Sequence, residues 1–120
     1  MALNFSKLTS TFKTNVPVTY KGDKAVDETG IVTCEFKRYT KDQVKEVQKG
    51  LQDFTGADGD GYVKNVLEEV WVGWNCTDEN GAVPFTEQMR EFFYQSYPSS
   101  MMDVFLAWVK GCWGGDRKNG

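Results

Sequence analysis

Residues 12–20 alternate. Phe12, Val16, Val18 and Tyr20 recur on one side at a period of two, which predicts a β-strand. Pro17 cannot donate a ladder hydrogen bond, so the strand belongs at a sheet edge. Residues 31–38 alternate again, with Val32, Cys34 and Phe36 inward and Thr33, Glu35 and Lys37 outward. The polar, glycine-bounded stretch from Lys21 to Gly30 reads as the loop between them, which makes an antiparallel hairpin. A hairpin by itself is marginal, so helices must cover it.

Past Arg38 the period changes. Thr40-Lys41-Asp42-Gln43 is a capping-box pattern. Val44, Val47, Leu51 and Phe54 then recur at helical spacing and predict a helix over 41–54. Gly56, Gly59 and Gly61 read as a loop. A second helix is expected over 61–74, because Val63, Val66, Leu67, Val70, Trp71 and Trp74 fall on one helical face. Residues 75–84 are turn-rich, with Asn80-Gly81 as the tightest point. Thr86 is a natural N-cap for a third helix, which carries Met89, Phe92 and Phe93 and stops before Pro98. A fourth starts at Pro98-Ser99-Ser100, places Met101, Val104, Phe105, Trp108, Val109 and Cys112 on one stripe, and ends at Gly114-Gly115. The expected fold is α+β in a single domain of 120 residues: a hairpin over about 12–38, a helical part over about 41–113, and a polar tail over 114–120.

Composition narrows the chemistry. The chain has no histidine, which removes the Ser-His-Asp triad, the Cys-His dyad and the imidazole metal ligand. With 40% hydrophobic residues it has the makings of a core. The formal net charge of -3 argues against non-specific nucleic-acid binding. Charge is also uneven: residues 1–50 carry a net +3 and residues 51–120 a net -6. This describes either two differently solvated faces or an acidic surface for a basic partner. Three widely spaced cysteines without a CxxC pair suit a reducing cytosol better than a disulfide framework or a zinc site. The first residues lack the apolar run of a signal peptide, and no apolar stretch is long enough to span a bilayer.

Asp58-Gly59-Asp60-Gly61 resembles the middle of an EF-hand loop, yet neither twelve-residue register closes a cage. With Gly61 at the glycine position, the ends are Gly56 and Leu67. With Asp58 first, Tyr62 and Val63 occupy ligand and glycine positions. Glu68 and Glu69 lie away from the apolar face, and Asp78 and Glu79 suit a turn. The glycines match neither a phosphate loop nor a dinucleotide fingerprint. Nothing in the sequence assembles a catalytic group, and a non-enzymatic binding protein without cofactor or metal is expected.

The last helix carries more apolar side chains than one face holds, since Met102, Leu106 and Trp113 lie off its main stripe. Either it is a central helix wrapped on two sides, or part of it binds another chain. The candidate partner-binding residues are Met101, Met102, Leu106, Trp108, Trp113 and Phe93. Methionine and aromatic side chains suit a surface that accepts varied apolar helices.

The stretch Val66-Leu67-Glu68-Glu69-Val70-Trp71-Val72-Gly73-Trp74-Asn75, followed by Thr77-Asp78-Glu79-Asn80-Gly81-Ala82-Val83-Pro84-Phe85-Thr86-Glu87, resembles the tail assembly chaperones of long-tailed, siphovirus-type bacteriophages. The similarity in layout covers most of residues 12–110, and its specific part runs from Val72-Gly73-Trp74 to Phe85-Thr86. The aromatic-rich Phe92-Phe93-Tyr94 and Trp108–Trp113 regions depart from that group's pattern. The resemblance implies binding of the helical tape-measure protein in the host cytoplasm before the tail tube polymerises around it. It also implies contact with tube subunits through a longer frameshifted form. Self-association along the client would supply avidity. Lys118-Asn119 near the end is compatible with a slippery codon pair. The alternatives are a structural tail component and, behind it, a calcium-responsive module.

Overall fold

A computed structural model describes residues 2–114. Its strand β1 (Thr11–Lys21) pairs antiparallel with β2 (Asp27–Lys37), from Thr11 opposite Lys37 to Lys21 opposite Asp27. Both strands run further than the alternation predicted. The connecting loop shrinks to residues 22–26, where Ala25 takes a left-handed conformation at φ 57°. β1 is an edge strand, as Pro17 requires. The inward set is the expected one: Val16, Val18, Val32, Cys34 and Phe36 are buried.

Helix α1 (Lys41–Gln52) starts with the predicted capping box. The Thr40 hydroxyl accepts from the Gln43 N–H, and the Gln43 side chain accepts from the Thr40 N–H. Helix α2 (Gly56–Val70) departs from expectation at both ends. The Gly56, Gly59 and Gly61 segment is helical, entered through Gly56 at φ 56°, a conformation open to glycine. Packing overrides its weak propensity: Val63, Leu67 and Val70 are buried, and the Tyr62 hydroxyl donates to the Val47 carbonyl of α1 at 2.9 Å.

The helix then stops at Val70, and Trp71–Trp74 is a strand, β3, paired antiparallel with β2. Trp71 lies opposite Phe36 and Gly73 opposite Glu35, so Val72 is an extra residue, a β-bulge. The bulge turns Trp71 and Trp74 to the same side, which mimics helical spacing. Their rings meet edge to face at 5.6 Å, and Phe85 and Phe93 close around Trp71 at 5.3 and 5.9 Å. The sheet order is β1-β2-β3.

The turn-rich segment is a small second hairpin, β4 (Thr77–Asp78) with β5 (Gly81–Ala82). Helix α3 (Glu87–Ser96) is capped by Thr86, whose hydroxyl accepts from the Met89 N–H at 3.1 Å. Helix α4 (Ser100–Trp113) lies over the inner face of the sheet and touches α1, α2 and α3 as well. It approaches β1 at Gly111, where a Cβ would collide with the Phe12 ring. The fold is therefore mixed α+β, a three-stranded sheet with helices on one face and a small second sheet. Gly114 ends α4 at φ 76°. The polar tail from 115, with Lys118-Asn119, lies outside the described residues.

Candidate polypeptide-binding surfaces

Six residues were expected to meet a partner, and the fold separates them. Trp108 is 0% exposed. It packs on Phe105 and Tyr39, and its indole N–H donates to the Lys37 carbonyl at 3.0 Å. It belongs to the core because α4 is the central helix, and a partner cannot reach it. Phe93 is also buried, wedged between Trp71 and Trp74. Met101 and Trp113 are half-buried against the core. Met102 is 37% and Leu106 57% exposed.

Met102, Leu106 and Trp113 follow one another at i, i+4 and i+11, so they line one flank of α4. At about 1.5 Å per residue the stripe runs for about 16 Å along the helix. Val104 and Phe105 on the neighbouring face are buried, and Val109, at i+7 within the stripe, is buried too. The helix is thus wrapped on its main face and open on one flank at the Met102–Leu106 end, which combines the two sequence readings of its apolar excess.

A second apolar surface was not foreseen. Between the β2 edge and α3 lies a groove of about 430 Å³. Val18, Tyr20 and Val32 form its floor, Met89, Phe92 and Tyr97 one wall, and Cys76 to Asp78 the other. Tyr20 meets Tyr97 edge to face at 5.4 Å and bridges β1 to α3. Phe92 is 64% exposed. Sequence gave one weak signal for it. Phe92 and Phe93 are adjacent, so a helix cannot turn both into its core.

The groove opens because the sheet stops short. After Trp74 the chain leaves β2, and Asn75 ends the ladder: its side-chain oxygen accepts from the Thr33 N–H at 2.8 Å, and its amide donates to the Thr33 hydroxyl at 3.2 Å. Among the described residues no strand pairs with residues 27–32 of β2 on that side.

The titratable groups point away from nucleophilic chemistry. Burial pushes the Cys34 thiol up to about 12, with the nearby Cys76 adding to the rise. Cys76 and Cys112 are raised by burial too. An activated thiol needs the opposite shift. Burial also raises the Tyr94 hydroxyl. Asp58 and Asp60 are exposed in the first turns of α2 rather than in a loop, so the EF-hand register has no loop to occupy. Among the described residues no group of three or more acidic or thiol side chains is placed to hold a metal ion. No described helix is long and apolar enough to cross a membrane.

Comparison with known protein families, curated proteins and solved structures finds no match to this chain.

Proposed function

We propose that this chain is a non-enzymatic tail assembly chaperone that binds the helical tape-measure protein and keeps it soluble in the host cytoplasm. The observation that supports the reading most directly is the open flank of α4, where Met102 and Leu106 remain exposed beside a half-buried Trp113. A client helix laid along that flank would cover its own apolar stripe and the chaperone's together. The contact is small, so each site binds weakly. Many copies on one long client hold it collectively and release it as the tube grows. The three cysteines are free thiols, which suits a reducing compartment.

The test is co-expression with a candidate client, a long helical tape-measure protein. The wild-type chain should bring that client into the soluble fraction, and the Leu106→Glu, Met102→Glu double variant should not. Mass spectrometry of finished virions should miss the protein. Its presence there would favour a structural tail component instead. Binding heat with calcium would favour the calcium-responsive module.

A further inference from the structure

We infer that the groove beside β2 receives the N-terminal arm of a second copy, which adds a fourth strand to the sheet. The two free edges of this sheet are not alike. Pro17 stands opposite Ile31 in the β1–β2 ladder. The Thr33 N–H points towards Asn75, away from β1. Direction repeats every second residue, so the N–H and carbonyl of Ile31 and Thr29 also point to the open side. On β1 the corresponding outward position is Pro17, which has no N–H to offer. That edge is blunted, whereas β2 presents intact donors and acceptors beside an apolar groove.

The same molecule carries an arm suited to that edge. Leu3 and Phe5 are 85% and 82% exposed, and Leu8 is exposed as well. A single short turn, Phe5–Lys7 capped by Asn4, is all that shapes the arm. Extended, residues 3, 5 and 7 fall on one side. Leu3 and Phe5 then enter the groove against Val32, Met89 and Phe92. Lys7, the one charge within residues 2–8, meets Asp78, the one charged side chain among the described residues lining the groove.

Length excludes the arm's own groove. Arg38 holds the base of the arm, with its backbone N–H on the Ser10 carbonyl and its Nε on the Thr9 carbonyl, both at 2.9 Å. From Arg38 to Ile31 along β2 is about 24 Å at about 3.4 Å per residue. Fully extended at about 3.5 Å per residue, Leu3 lies at most about 21 Å and Phe5 about 14 Å from the tethered Thr9. Neither residue reaches Ile31 in its own copy. A second copy has no such tether, and arm-to-edge contacts of this kind propagate head to tail.

The measurement is sedimentation velocity of the full chain over a wide concentration range. Wild-type protein should associate reversibly. Phe5→Asp removes the arm's anchor, and Ile31→Pro removes an edge donor without touching the β1 ladder. Each should weaken association by about tenfold or more. Ile31→Thr keeps the N–H and should associate normally, which separates the lost donor from the lost side chain. Mixing the Phe5→Asp and Ile31→Pro proteins should give dimers only, since one supplies an arm and the other an edge. Leu106→Glu should leave this association intact, so failure of client binding and failure of arm exchange read out separately. A chain that stays monomeric throughout, or association indifferent to both substitutions, overturns the inference. So does a monomer whose β2 edge amides are protected from exchange by its own arm.

Discussion

The indole N–H of Trp108 donates to the backbone carbonyl of Lys37 at 3.0 Å, tying the middle of α4 to the last residue of β2. The bond satisfies a strand-end carbonyl where helix and sheet meet, inside a shell formed by Phe105 and Tyr39. Trp108→Ala should cost about 3–5 kcal/mol through the cavity it leaves. Trp108→Phe keeps most of the ring but orphans the carbonyl, and should cost about 1–3 kcal/mol. Urea unfolding measures both, and near-neutral values would contradict the core assignment.

Ala25 sits in the left-handed region in the β1–β2 loop. That conformation costs a non-glycine residue about 1–2 kcal/mol. The extra unfolded-chain freedom that glycine brings is smaller, about 0.4–1 kcal/mol. Ala25→Gly should therefore raise the melting temperature slightly, and a clear drop would show that the turn is not strained.

Cys34 makes the protein sensitive to alkali. Its thiol is pushed up to about 12 in the fold, against about 8.5 in an unfolded chain. The folded state keeps a proton that the unfolded state releases. The stabilisation is thus fully present below the unfolded value and fades as pH rises towards 12. The slope from this group is at most about 1.4 kcal/mol per pH unit. Denaturation at stepped pH should show the decline, with Cys34→Ala reducing it. Tyr94, also raised by burial, keeps some slope at the upper end. Identical pH profiles for the two proteins would remove Cys34 as the cause.

The α4 flank should tolerate charge where its buried face does not. Leu106→Glu should change stability by no more than about 0.5 kcal/mol, as exposed positions do. Phe105→Glu, one position along, buries an unpaired carboxylate and should prevent folding. Circular dichroism with urea titration compares them. Equal damage from both would mean that the flank is covered within the monomer.

Much of this architecture is legible in short stretches of the sequence. Pro17, the Thr40–Gln43 box and Thr86 act through their nearest neighbours, so the edge strand and two helix starts could be read from a few residues each. Val16, Val18, Val32, Cys34 and Phe36 announced the inner face by period alone. Trp71 and Trp74 misled because a bulge at Val72 reproduces helical spacing within a strand, and a bulge exists only relative to a partner strand. Gly56 to Gly61 misled in the opposite sense, since the contacts of α2 hold a weak segment helical. Of the six expected partner residues, Trp108 and Phe93 proved buried, while Met102 and Leu106 remained open.

The amino-acid order by itself determined which side chains share a side and where chain direction changes, because caps, prolines and periodicity are local. It could not determine what lies against each side. That depended on β3 leaving the sheet after Trp74 and on α4 settling at the centre. Those placements come from long-range packing, and they decide which apolar groups are core and which stay open to another chain.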